Sequence, residues 1–252
     1  MLISRSLNFQ HHDLLTVQML EGLRDNTLEG VLAAFITYAD GIVNGLTVTM
    51  DMEHQICISP GVIKWNNKLY VMTEEERIPL EKDCRHGLIV ARPTETAFIV
   101  TTTSQLDEGD LELSRFERDT GSLVSVPQQF NQLKYLNQFD IRYRKIGGCD
   151  QQLTYGSEFA RLFAQSLLSC PGVTMSDTAF AWQAIQHPPT KTMWETFLKQ
   201  NELNWLEDSK EFYEQLIRLL NKKMETPSTP YFVQREQPTA IKVNENIGII
   251  VD

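Results

Sequence analysis

The residues in this chain best equipped for chemistry are a His-His-Asp run at 11–13, two acidic clusters and a concentration of aromatic rings. His11, His12 and Asp13 are metal-ligand types, but adjacent side chains on a helix do not converge, and no second cluster with matching spacing occurs. They read as a polar helix entry, with Asp13 near the positive end of the helix dipole. Glu74-Glu75-Glu76 and the run Asp107, Glu108, Asp110, Glu112 have the groups to hold a hard cation or to place paired carboxylates for acid–base work. Neither shows the alternating ligands and glycine of a calcium loop, and both fall between strand-like runs, where solvated charge is common. The expectation is no metal, no cofactor and no catalytic residue. GxSxG, GxxxxGK[ST], GxGxxG and HExxH are all missing, and with them the familiar marks of acyl transfer, phosphate binding, dinucleotide binding and zinc proteolysis. The chain reads as a non-enzyme.

Trp182, Trp194, Phe197, Trp205, Phe212 and Tyr213 crowd one region. Their helical spacing predicts the core of a small bundle, while Trp205, beside Asn204 and between helices, is expected to face outward, where an aromatic ring anchors a partner.

Those side chains must be positioned by a chain of 252 residues, 42% hydrophobic and 22% charged, proportions that fit a globular protein of one large domain or two small ones. The 23 Lys and Arg against 33 Asp and Glu leave a formal net charge of -10, which repels a polyanion, so nucleic acid is not an expected partner. The apolar runs at 31–36 and 247–251 fall far short of the roughly 20 residues that cross a bilayer. Met1 to Arg5 lacks the apolar core of a secretion signal, so folding in a cytoplasm is expected. The four cysteines, with no CxxC pair, are expected as free thiols, with Cys57 and Cys170 buried.

Residues 12–39 carry a helical period, Leu14, Val17, Leu20, then Val31, Leu32, Phe35 and Ile36, broken at Asp25-Asn26-Thr27 with Thr27 as a cap, and closed at Asp40-Gly41. From Gly45 the period changes to two. Strands are predicted at 46–50, 55–59, 62–65, 68–72, 87–91 and 97–102, with weaker extended runs at 111–117 and 122–126 and a closing stretch at 138–146. Pro60-Gly61 is a turn and Asn66-Asn67 a tight hairpin. After Gly147-Gly148 the helical period returns at 159–170, 179–186, 193–200 and 208–223, with Ser176 or Asp177 capping the second of these helices. Pro227, Pro230 and Pro238 then lead to Ile247-Gly248-Ile249-Ile250-Val251, an arm expected to add a strand to a sheet of its own chain or of another. The predicted fold is α+β: an N-terminal helical segment (1–44), an antiparallel β-meander or sandwich module (45–148), a small helical bundle (149–225) and an extended arm (226–252).

The run Asp40-Gly41-Ile42-Val43-Asn44-Gly45-Leu46-Thr47-Val48-Thr49, continued by Ile56-Cys57-Ile58-Ser59-Pro60-Gly61-Val62-Ile63-Lys64-Trp65 and Asn66-Asn67-Lys68-Leu69-Tyr70, resembles the small β module of phage tail baseplate and tail-fibre attachment proteins. The resemblance covers residues from about 12 to 75. It implies a virion structural protein, assembled in the host cytoplasm or part of a cytoplasmic injection machine, that homo-oligomerises and joins the baseplate to fibre or receptor-binding subunits. The expected interface residues are Leu14, Val17, Leu20, Trp205, Ile249 and Val251. Two other readings stay open: a carbohydrate-binding module stacking Trp65, Tyr70 or Trp205 on a host-surface glycan, and a hydrolase with Asp110 and Glu112 as acid and base.

Overall fold

Two consecutive asparagines, Asn66 (φ 50°) and Asn67 (φ 58°), take the left-handed backbone that a two-residue hairpin requires. They join β4 (Gly61–Trp65) to β5 (Lys68–Met72), pairing Trp65 with Lys68 as the sequence predicts. The computed structural model describes residues 16–17, 20–21, 30–81 and 83–226, and its fold is α+β.

The hairpin forms one end of a five-stranded sheet in the order β12 (Leu153–Tyr155), β11 (Lys145–Gly147), β1 (Gly41–Gly45), β4, β5. Only β1 and β11 run parallel in it. A second, antiparallel sheet has the order β10 (Gln138–Asp140), β9 (Leu111–Glu117), β7 (His86–Pro93), β8 (Phe98–Thr103). The third is β2 (Val48–Met50), β3 (Gln55–Ile58), β6 (Glu76–Pro79). All three sheets share one core, in which Ile42, Ile56, Ile58, Ile63, Ile89 and Leu113 are buried.

Four elements differ from the sequence expectation. The described helical residues stop at 34, and β1 begins at Gly41, where the helix was expected to close, inside the N-terminal segment and four residues before the stretch read as period two. Ile42 and Val43 are β-branched, and β1 pairs with strands on both sides, which makes this short run a strand without a period-two signal of its own. Glu76 is not loop but the first residue of β6, opposite Ile58; one apolar residue, Ile78, is too little periodicity to mark a strand. Residues 122–126 form no strand and contribute a single bridge, Ser125 to Gln138. β12 lies in the region read as helical, three residues being too few to show a period of two.

The helices are α1 (Ser157–Leu168), α2 (Met175–Gln186), α3 (Lys191–Gln200) and α4 (Ser209–Glu225). Their apolar faces close on a second core that takes in Trp194, Phe197, Phe212 and Tyr213, as the aromatic spacing predicts, but also Phe130, Leu133 and Ile141 from the β region. The cap of α2 is Thr174 rather than Ser176 or Asp177. Asp177 instead completes a reciprocal capping box with Thr174, and its buried carboxylate accepts from Lys223 Nζ at 2.6 Å and Asn201 Nδ2 at 3.1 Å. Cys57 and Cys170 are buried, as expected.

One ion pair joins the two cores. Arg144, just before β11, donates from Nη1 to Glu158 Oε2 in the first turn of α1 at 3.2 Å, and from Nη2 to the carbonyl of Gly45 at the end of β1. Glu158 Oε1 accepts from Thr47 Oγ1 at 2.8 Å. Burial acts to raise the Glu158 pKa, but the Arg144 charge and the Thr47 hydroxyl outweigh it and hold the carboxyl below its ordinary value. Glu158→Gln leaves the guanidinium buried against a neutral partner, so we expect a loss of about 3 kcal/mol in denaturant unfolding. The carboxylate's contribution is present above the ordinary carboxyl pKa and is lost as pH falls through the lower folded value. The stability difference between wild type and Glu158→Gln should therefore shrink on acidification below about pH 4.

Candidate functional site

Neither core takes a described residue before Ile42. The described part of the N-terminal helical segment accordingly presents its apolar side chains to solvent: Val17 is 72% exposed, Leu20 52%, Val31 46% and Ile36 66%. Its foot is nonetheless fixed. The Ala39 N–H donates to the Gly148 carbonyl at 3.0 Å, and the Gln151 N–H donates to the Thr37 carbonyl at 3.1 Å. The buried Lys64 donates to the Tyr38 carbonyl and lies 3.8 Å from the Asp40 carboxylate. Behind this foot a cleft of about 680 Å3 opens between Phe35, Tyr38 and Val62 on one side and His187 and Met193 on the other. Of the residues expected at an interface, Val17 and Leu20 are exposed, while Leu14, Ile249 and Val251 lie outside the described residues, as do Thr27 and the 11–13 run.

Trp205 is half-buried rather than turned fully outward. Its ring packs 5.3 Å from Tyr155 and 5.2 Å from Phe212, and its Nε1–H donates to Glu207 Oε1 at 2.8 Å. A position between helices implies exposure only if no strand fills the gap, and β12 fills it with Tyr155. The exposed tryptophan is Trp182, on α2. Trp65 and Tyr70 pack edge-on to Phe98, with centroids at 5.9 and 5.0 Å, against the β core. The three rings considered for sugar stacking therefore belong to two different cores and share no open face.

The two carboxylates considered as acid and base are each held by an arginine. Asp110, its side chain fully buried, accepts from Arg92 Nε at 2.9 Å and Nη2 at 2.8 Å. This bidentate pairing holds its pKa below the usual carboxylate range, and an acid so depressed carries no proton at neutral pH. Glu112 is paired with both Nε and Nη2 of Arg115.

Arg115 leads to an open groove of about 770 Å3 between the β7–β9–β10 face and residues 133–136. Its guanidinium lies 3.5 Å from the centroid of Tyr143, over the ring. Arg142, in bidentate contact with Asp140 at 2.9 and 2.7 Å, lies 5.7 Å from the centroid of Tyr143 and 5.0 Å from that of Tyr213. Tyr135 and Leu136 line the groove and are exposed. Aromatic faces beside paired, planar hydrogen-bonding groups suit an uncharged polyhydroxy ligand better than a bare anion, because both arginines are already neutralised. Nothing in the sequence marked this groove: the sequence reading treats Arg142 and Tyr143 only as part of an extended run, and 133–136 has no period.

Lys145 was also illegible. Its Nζ is buried without a hydrogen-bond partner, 3.2 Å from the centroid of Tyr155 and 5.6 Å from that of Trp205. The ring face favours the cation, but loss of water dominates and pushes the amine down to about 7.

Among the described residues, no three His, Cys, Asp or Glu side chains converge as a metal site, and no helix is long and apolar enough to cross a membrane. No family model, no curated protein and no solved structure matches the chain.

The depressed amine gives a pH-dependent stability with a definite sign. At high pH, above the ordinary lysine value, Lys145 is neutral whether the chain is folded or not. As pH falls toward 7 the unfolded chain takes up a proton that the folded chain resists, so stability falls across that window and levels off below it. Lys145→Met should therefore melt at a higher temperature than wild type at pH 7, with the gap narrowing as pH approaches 10 in calorimetric scans.

Proposed function

We propose that this chain is a structural subunit of a phage tail baseplate or a related contractile injection machine, one that oligomerises and connects the baseplate to fibre or receptor-binding subunits. In this reading it is assembled in the host cytoplasm and acts by holding other protein subunits. The supporting observation is the N-terminal surface: Val17, Leu20, Val31 and Ile36 are exposed, neither core uses them, and residues 37–40 are pinned to the sheet. Exposed apolar side chains leading to a fixed foot suit a contact with like side chains on a neighbour. The resemblance of residues 12–75 to tail attachment modules directs that contact toward a tail assembly. Light scattering on the full chain should give a multiple of 29.0 kDa, and the combined change Val17→Asp, Leu20→Asp, Ile36→Asp should return the monomer mass. A monomer for the unaltered chain at all concentrations removes self-assembly from the proposal.

The groove beneath Arg115 and Tyr143 favours a second reading, recognition of a host-surface glycan at these residues rather than at Trp65, Tyr70 or Trp205. Binding of the full chain to a glycan array should then fall at least tenfold in Tyr135→Ala, whose ring is exposed and outside both cores. No glycan binding by the unaltered chain eliminates this reading.

A further inference from the structure

Two of the three sheets present an unpaired edge to the same groove. β5 is the last strand of its sheet and β8 the last of the second. Between them runs an apolar cleft of about 350 Å3, in whose lining Glu76 is the one charged residue. Leu46 and Ile63, buried members of the β core, contribute to that lining, so the cleft opens onto the core itself. Val71 and Ile99 stand over it, 61% and 50% exposed. Edge strands are commonly protected by charges, prolines or bulges, yet β8 reads Phe-Ile-Val-Thr-Thr-Thr, with none of these.

The geometry points to an occupant within this chain: residues 247–251, Ile-Gly-Ile-Ile-Val, lying as an added strand in the cleft between β5 and β8. Period two puts Ile247, Ile249 and Val251 on one face of such a strand, an apolar face for an apolar cleft, and the edge backbone groups of β5 and β8 supply the hydrogen-bonding partners. The reach is adequate. The described chain leaves the helical core at Thr226, and residues 227–246 connect it to the segment. A connection of that length extends up to about 65 Å and as a flexible coil averages about 25 Å. β12 is four strands from β5, about 19 Å across the sheet, and its Tyr155 stacks on Phe212, from which α4 runs on for about 21 Å to Thr226. The extended connection exceeds these two lengths together, and a tethered segment that can reach its cleft is favoured over capture from a dilute second copy. This assignment stands independently of the tail reading, since it needs no partner.

Hydrogen exchange read by mass spectrometry tests it on the full chain, with wild type, Ile249→Asp and Ile249→Val compared over a dilution series. Amides of β5 and β8 should exchange at least tenfold faster in Ile249→Asp than in wild type. Those of β7 and α4, the folding controls, should be unchanged, and Ile249→Val should behave as wild type. Wild-type protection should not depend on protein concentration. Equal rates in β5 and β8 for wild type and Ile249→Asp overturn the proposal. So does protection that rises with protein concentration, which places the segment on another copy.

Discussion

A guanidinium with almost no access to water, set between a sheet and a helix bundle, is the constraint on which the arrangement of the two cores depends. Arg144 has too few water contacts to stay charged cheaply, so its partners must come from the protein: Glu158 from the bundle and the Gly45 carbonyl from the sheet. Both partners have to arrive together. Gly45 stands at the end of β1, Thr47 bonds the same carboxylate, and Gly156 begins α1 with its N–H on the Arg144 carbonyl at 3.1 Å. The angle between sheet and bundle is therefore set by directional bonds as well as by apolar contact.

The same device recurs elsewhere. Buried Lys64 donates to the Tyr38 carbonyl, and buried Arg118 donates to the carbonyls of Cys84 and Ser122, each at 2.8 Å, and of Glu81. In each case a cation from a strand or its end pins a loop whose carbonyls have no ladder partner. This gives loop geometry an energetic cost to change, because moving the loop leaves a charge uncompensated. It also explains why residues 37–40 are held while the helical residues just before them expose apolar side chains. The anchor is polar and internal to the subunit, and the surface it carries is apolar and external.

How much of this was legible in the sequence follows from the range of each interaction. Period-two runs and the Asn66-Asn67 turn are local signals, and the strands at 55–58, 61–65, 68–72 and 98–103 fall close to where alternation places them. The aromatic bundle core was legible for the same reason. β6 and β12 were not, because strands of three or four residues carry too few alternations, and their state is decided by the partner that pairs with them. The groove at Arg115 and the Lys145 amine were illegible for a stronger reason. Arg115 stacks on a residue 28 positions away, and Lys145 is buried by Tyr155 and Trp205 on other elements. Trp205 was legible only in part: its inter-helix position said nothing of the strand against which its half-buried ring packs.

Charge pairing bears on what kind of work such a surface can do. Asp110 and Glu112 are consumed by arginines, Asp177 by Lys223 and a capping box, and Glu158 by Arg144. Acidic side chains that elsewhere supply proton transfer here hold loops, helix ends and the junction of the two cores. The groups left with unspent binding capacity are of another kind: apolar side chains on the N-terminal segment, and backbone edges of β5 and β8. Such groups recognise by shape and by strand pairing. Among the described residues, the apolar side chains of the N-terminal segment and the outer edges of β5 and β8 are the surfaces that neither core nor sheet pairing uses.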